Sequence, residues 1–471
     1  MRLDRLTGLA AASALAACAV GPDYERPELE MPLAWPDQAV LEAESSADLH
    51  EWWRVFGDPV LDELVDRALA DNLELRIQVA RVEEARARLG LARAEQLPTV
   101  DLQAEASRER QPAAAFGFEG FDPAPRTLFS VSGLLGYEID LWGRLARERE
   151  AAAADLEASV YAGEAVRLGL IADVVVTYAG LRSAQRQLRV TERTVAARQE
   201  SVQVQRLRYE AGAIGELDLR QAESALATAR AELPARIEAL RRRESALGIL
   251  LGMPPAELFE ALDLPDGGLE KAVIPATIPA DLPADLLNRR PDLRAAESEL
   301  QIATAAVGVA EAARLPRLTL SGLLGTAAAD SAGLFSSEAE AWRVGATLDG
   351  PLFDFGRSRA RFASAEARLE AAELRYRATV AVALAEVRDA LAFYETSGQR
   401  LEAVEAQIRA LRRTEELAEI RYDAGYISII ELLDAQRALL AAELAHARAL
   451  ADRYVATATL FKVLGGGWEV N

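Results

Sequence analysis

Arg208-Tyr209-Glu210-Ala211-Gly212 returns 213 residues later as Arg421-Tyr422-Asp423-Ala424-Gly425, and this return decides the fold. The likeness spreads outward from it. Leu141–Leu226 reads like Leu352–Leu439, with Gly143-Arg144 coming back as Gly356-Arg357. Ala70–Ser107 reads like Asn288–Gly325, with Leu75 and Pro98 matching Leu293 and Pro316, both 218 residues on. A tandem copy of about 200 residues is far too long for a solenoid unit. Each copy is therefore a whole structural half, and the halves should carry pseudo-symmetry.

The chain of 471 residues holds 53 basic and 74 acidic side chains, a formal net charge of −21. That balance argues against nucleic-acid binding as a main role. Aromatics make up only 6 %, while alanine recurs in long Ala/Leu/Glu/Arg runs, a composition of long helices packed along small-residue seams. One cysteine excludes an intrachain disulfide, and two histidines (His50, His446) leave little for metal or acid–base chemistry. His446, among Ala and Leu on a helix, reads as a packing or surface residue. Gly465-Gly466-Gly467 lacks the strand–helix context of a phosphate loop. No enzyme, cofactor or metal site is expected.

Met1–Arg5 is a short basic start, followed by an apolar, Ala-rich run over Leu6–Ala17. This reads as a secretory signal, too short for a stable membrane span. It ends Leu15-Ala16-Ala17-Cys18, which resembles the lipobox of bacterial lipoproteins. The resemblance implies that Cys18 becomes the mature first residue, with lipid on its sulfur and amine, and that Ala19 directs sorting to the outer membrane. Each buried methylene of such chains contributes about 0.8 kcal/mol. The alternative is a plain signal peptide cleaved after an Ala-x-Ala site, with Cys18 incidental.

The rest divides into an extended, Pro- and acid-rich segment (18–58), a first repeat (59–251), a Pro/Gly-rich linker (252–288), a second repeat (289–464) and a tail (465–471). Pro59–Arg93 has helical period through Leu61, Leu64, Val65, Ala68 and Leu69. The period then changes to two. Val100, Leu102, Ala104 and Ala106 alternate with Thr99, Asp101, Gln103 and Glu105, and Phe129 to Ile139 alternate likewise. The second copy repeats this at Leu318–Leu324 and Trp342–Leu348. Each half thus contributes a hairpin with strands of about ten residues, long enough to cross an outer membrane when tilted. An amphipathic hairpin packed on helices is the other reading. Phe116, Phe118 and Phe121, between the first two strands, suit either an extracellular loop or an aromatic girdle.

Four strands cannot close a barrel, and an open edge cannot exist in lipid. The smallest spanning barrels have about eight strands, and these are filled by their own side chains. A dimer would give eight strands and a trimer twelve, so a channel favours a trimer or larger assembly. After each hairpin, Trp142–Glu210 and Phe355–Ala424 contain no proline and at ~1.5 Å per residue extend about 100 Å. Val174, Leu181, Leu188, Val195, Val202 and Tyr209 are spaced by seven, as are their counterparts Val387, Tyr394, Leu401, Ile408, Glu415 and Tyr422. This is a coiled-coil period. Gly212 and Gly425 stand where a C-cap glycine reverses the chain, and shorter returning helices end near Leu251 and Leu464.

These motifs together resemble a lipoprotein outer membrane factor of the TolC-like superfamily, the exit duct of tripartite efflux pumps. Cys18–Tyr24 with Pro27 is similar to the lipidated start, and Trp52-Trp53 with Phe56, Asp58, Leu61, Leu64 and Asn72 to the first helix. Leu141–Arg144 and Pro351–Arg357 resemble the strand-to-helix junctions. Arg421-Tyr422-x-x-Gly425 followed by Leu432–Arg437 resembles the periplasmic turn. The resemblance covers nearly the whole mature chain. It implies a mainly α fold with a membrane β-barrel: a homotrimer, four strands per chain in a twelve-stranded barrel, and a coiled-coil tunnel across the periplasm. An equatorial belt would take the linker and tail. The implied partners are a periplasmic adaptor (membrane fusion) protein, an inner-membrane transporter of the resistance-nodulation-division type, and outer membrane lipid.

By position, Asp218 in the first copy and Glu431 and Asp434 in the second match acidic constriction residues of the family. Ile430 matches an apolar ring, Tyr422 and Arg437 match residues that tie closed helices together, and Gly212 and Gly425 mark turns toward the adaptor. Clustered carboxylates repel one another and attract cations. The other reading makes the acids helix-cap or dipole partners and Asp434–Arg437 an exposed i,i+3 pair. The first-copy turn, with Gly215-Glu216, departs from the pattern. A lipid-anchored coiled-coil adaptor and a type I secretion duct are the alternative functions; drugs, metal cations and peptides all remain open as cargo.

Overall fold

A computed structural model describes residues 19–34, 41–42, 49–110, 112, 124–259, 264, 269, 274, 278–279 and 285–466. The signal segment, Cys18, Phe116, Phe118, Phe121, most of the linker and the tail beyond 466 lie outside the described residues. The described parts of 1–28, 81–159 and 295–376 cluster into one compact unit, and those of 29–80, 160–294 and 377–471 into a second.

In the first unit the strands are β1 (Thr99–Glu109), β2 (Arg126–Ile139), β3 (Arg317–Ala328) and β4 (Glu340–Asp349), all antiparallel, in the order β1-β2-β3-β4. The register decides what the alternation means. Val100 pairs with Leu135, Leu135 with Gly322, and Gly322 with Val344. Leu102, Gly133, Leu324 and Trp342 form the next row. Side chains directly opposite in a ladder share a face, so the four apolar runs fall on one side of one sheet. Asp101, Gln103, Ser132, Ser321 and Arg343 fall on the other. The apolar face is bare: Val100, Leu102, Trp342 and Val344 are each at least 71 % exposed. Among the described residues, the outer edges of β1 and β4 pair with no further strand.

The segment after Cys18 is fastened in this unit. Val20 N donates to the Trp142 carbonyl, and the buried Arg147 guanidinium reaches the carbonyls of Val20 and Gly21 and the Asp23 carboxylate. A Cβ on Gly21, whose φ is +97°, would stand 2.4 Å from the Gly308 Cα, so only glycine fits this crossing. Further along, Arg26 grips the buried Glu297 carboxylate with two bonds of 2.8 and 2.7 Å, and Tyr24 adds a third of 2.9 Å.

The α-helices longer than one turn are α1 (Pro59–Asp71), α2 (Leu73–Ala94), α3 (Arg144–Glu210), α4 (Glu216–Leu250), α5 (Pro291–Ala312), α6 (Arg357–Asp423) and α7 (Ile429–Val463). The expected single helix over Pro59–Arg93 is two. Asn72 interrupts it: its side chain caps Leu75 N at 3.0 Å and donates to the Leu250 carbonyl at 2.9 Å. A cap residue takes extended backbone, which ends the preceding helix. The extended segment also stops early, because Leu49–Phe56 winds into 3₁₀ turns. Trp52 stacks on Phe461 and Phe56 on Tyr454, all buried, forming the aromatic core of the second unit.

Helices α3 and α6 are each 67 residues long, α4 and α7 each 35, and both pairs are offset by 213. Half of the twelve seven-spaced positions are buried: Val174, Leu181, Val202, Val387, Tyr394 and Ile408. Tyr209 departs, at 41 % exposed.

Candidate functional site at the helix turns

Both turns of the second unit have the same backbone. In the first, Gly212 N donates to the Tyr209 carbonyl and Ala213 N to the Arg208 carbonyl; in the second, Gly425 N donates to Tyr422 and Tyr426 N to Arg421. This is the Schellman pattern, with a left-handed residue after the helix. Gly212 at φ +72° and Gly425 at φ +77° supply it, which accounts for the glycine in each copy.

The side chains then make the turns different. At Ser428 a capping box closes α7: Glu431 Oε2 accepts from Ser428 N at 3.1 Å, and the Ser428 side chain accepts from the N3 backbone. Gly215, the equivalent cap of α4, has no side chain to do this. Around the first turn Arg220 instead pairs with Glu216 and Glu223, and Arg206 with Glu223.

Three contacts bind the second turn to the first long helix. The Tyr422 hydroxyl donates to Gln205 Oε1 at 2.9 Å. Arg208 pairs with Asp423 at 3.3 Å and lies over the Tyr422 ring, 5.6 Å from its centre. Below them Ile429, Leu432 and Leu433 cluster with Ala225, Ala418 and Tyr422. Gln205, Arg208 and Asp423 were not singled out in the sequence. The available signal is the mismatch between copies: Gln205 aligns with Ala418, so only one of the two tyrosines meets an amide.

The expected site residues separate as follows. Tyr422 is half-buried and bonded across the helices. Glu431 serves the capping box of its own helix. Asp434 pairs with Arg437 at 3.0 Å on the same exposed helix face. Ile430, 49 % exposed, and Arg437 line one groove of about 590 Å³. Asp218, half-buried in the first turn of α4, makes no described hydrogen bond or ion pair with the second-repeat residues. Among carboxylates near this end, Glu415 carries a raised pKa, because burial and then the neighbouring Glu419 disfavour its charge. His446 packs as expected; burial and then Arg186 lower its pKa, while Glu405 lies 3.6 Å away.

The site thus lies on a chain that combines an amphipathic four-stranded sheet with two long helical hairpins. The family model for outer membrane efflux proteins matches residues 64–253 and 282–466. The chain belongs to that family: it resides in the outer membrane, extends into the periplasm and serves an efflux pump. Outer membrane protein OprJ of Pseudomonas aeruginosa is 34 % identical over 464 residues, covering 98 % of this chain and 96 % of that protein. The toluene efflux pump outer membrane protein TtgI of Pseudomonas putida is 34 % identical over 467 residues, with 97 % of each covered. The solved Campylobacter jejuni CmeC outer membrane channel superposes with a TM-score of 0.88 at 27 % identity, covering 96 % of each chain. Proteins of this kind work with adaptor and inner-membrane pump partners.

Proposed function

We propose that three copies of this chain form one passive duct, a twelve-stranded barrel joined to a helical tunnel through the periplasm. One hairpin-plus-coiled-coil module, used twice per chain, would place six modules around the axis. The observation that carries this reading is the sheet: one apolar face, one polar face and two edges that pair with no further strand among the described residues. Lipid leaves no backbone group unsatisfied, so the edges must meet other copies. Twelve strands leave a lumen where eight would be filled. Leu352, Phe353 and Phe355 at the β4–α6 junction are 77–102 % exposed, an apolar patch that a neighbouring copy would cover.

Lipid on Cys18 would anchor the mature chain to the outer membrane. A periplasmic adaptor and a transporter of the resistance-nodulation-division type would complete the pump, meeting the duct at the Gly212 and Gly425 turns. There, threefold symmetry would turn Asp218, Ile430, Glu431 and Asp434 into rings, with Tyr422 and Arg437 holding the closed helices. The cargo is set mainly by the transporter.

Mass photometry in detergent should find three chains per particle. In planar bilayers, Glu431→Ala with Asp434→Ala should raise conductance and reduce cation selectivity. Unchanged currents would leave both acids with only the cap and ion-pair roles seen within one chain.

A further inference from the structure

The groove lined by Ile430 and Arg437 combines an apolar stripe with guanidinium groups. Its lining comes from α4 and α7 with Arg198 of α3, and Ile430, Leu433, Leu440 and Leu444 form the stripe. Three guanidinium groups border it: Arg198, Arg236 and Arg437. Arg236 is matched by Glu232 at 2.9 Å and by the Gln187 side chain at 3.0 Å, and Arg437 by Asp434 at 3.0 Å. Arg198 is different. It is half-buried, no carboxylate among the described residues pairs with it, and its resolved electrostatic neighbour is Arg437, a like charge. Burial and then that neighbour lower its pKa. An anion seated beside Arg198 would offset part of the hydration that its burial removes. Such a grouping of guanidinium groups in a chain of net charge −21 is local rather than a reflection of bulk composition.

We propose that this groove is a binding site for an amphipathic organic anion, with an apolar body along Leu433, Leu440 and Leu444 and a carboxylate or sulfonate between Arg198 and Arg437. The size fits: the groove measures about 590 Å³, within the roughly 300–1,000 Å³ that suits small-molecule ligands. The groove shares Ile430 and Arg437 with the proposed closure, and Arg437 pairs with Asp434 at 3.0 Å, while Glu431 and Asp434 themselves do not line it.

The test uses the assembled full chain in lipid nanodiscs, with empty nanodiscs subtracted. The probe is 8-anilinonaphthalene-1-sulfonate, compared with N-phenyl-1-naphthylamine, which has the same aromatic body and no sulfonate. Saturable binding of the sulfonate is expected, weakened at least fivefold by Arg198→Gln and left near wild type by Arg198→Lys. Binding of the uncharged amine should not respond to either change. Ser224→Trp, at an exposed position on the groove wall, should remove sulfonate binding by filling the space. Heat-modifiable migration on a gel checks assembly of each variant. Equal sulfonate isotherms for wild type and Ser224→Trp would overturn the proposal. So would equal weakening of both probes by Arg198→Gln, which would mean mere apolar adherence. Absence of saturable binding to wild type, as when a second copy covers the groove, would overturn it too.

Discussion

The Tyr422 hydroxyl donates a 2.9 Å hydrogen bond to the Gln205 side-chain oxygen, and neither partner has an equivalent pair in the repeat, where Gln205 corresponds to Ala418. The two copies share their backbone turns and differ in what fastens them. If these turns close the duct as proposed, that closure would be secured at the second turn by the Tyr422–Gln205 bond, which the first turn lacks.

That difference predicts an unequal response to mutation. Tyr422→Phe removes one neutral hydrogen bond, a net of about 1 kcal/mol, or roughly a fivefold shift per chain toward the open end. Tyr209→Phe should change little. Single-channel recordings read both, and a double-mutant cycle of Tyr422→Phe with Gln205→Ala should show strong non-additivity. Additive effects would mean that the bond does not hold the turn closed.

The register of the sheet predicts which face meets lipid. Val344→Lys places a charge on the apolar face, at about 2–4 kcal/mol near the bilayer midplane, and should sharply lower the heat-modifiable fraction in outer membranes. Thr347→Lys, on the opposite face, should be tolerated. Equal loss in both would contradict the face assignment.

The grip on Glu297 predicts a stability effect in the first unit. Glu297→Ala removes the carboxylate to which Arg26 and Tyr24 both donate, a loss of about 1–3 kcal/mol. Burial and then Glu297 hold the Tyr24 phenol well above its ordinary range, so it stays protonated and donates across the accessible pH range. Limited proteolysis should cut the 19–28 segment faster in the variant. An unchanged cleavage rate would show that the Arg147 contacts alone hold the segment.

Glu415 sets a sign for pH dependence. Its pKa is raised in the fold, so the native state binds a proton that the unfolded chain has already released. Stability from this group is therefore present at low pH and lost as pH rises from the ordinary carboxylate value through the raised one. Glu415→Gln should raise thermal stability at pH 7 and flatten this part of the profile. A steeper profile in the variant would reverse the assignment.

Legibility in the sequence followed the range of the interaction. The strand runs and the 67-residue helices were readable because alternation and a seven-residue spacing are local signals. Glycine at 212 and 425 was readable because a left-handed residue has few substitutes. The break at Asn72 was not, because the period runs through it and the side chain's partner, the Leu250 carbonyl, lies 178 residues away. Gln205 hid for a related reason: a lone amide on a polar helix looks like surface until Tyr422 is placed opposite. Glu431 and Asp434 could be located, but whether an acid caps its own helix or faces a lumen depends on neighbours that sequence spacing does not specify.

The bare edges of β1 and β4 also constrain the order of assembly. A single chain released into the periplasm carries an uncovered apolar sheet and two rows of unspent backbone donors and acceptors, a template for mispairing with any passing strand. In the proposed trimer it would not enter lipid first and find its companions afterwards, since the hydrocarbon would strip water from those rows before anything replaced it. Edge pairing would accompany insertion, which would make the lone chain a short-lived species whose safe passage is a matter of timing.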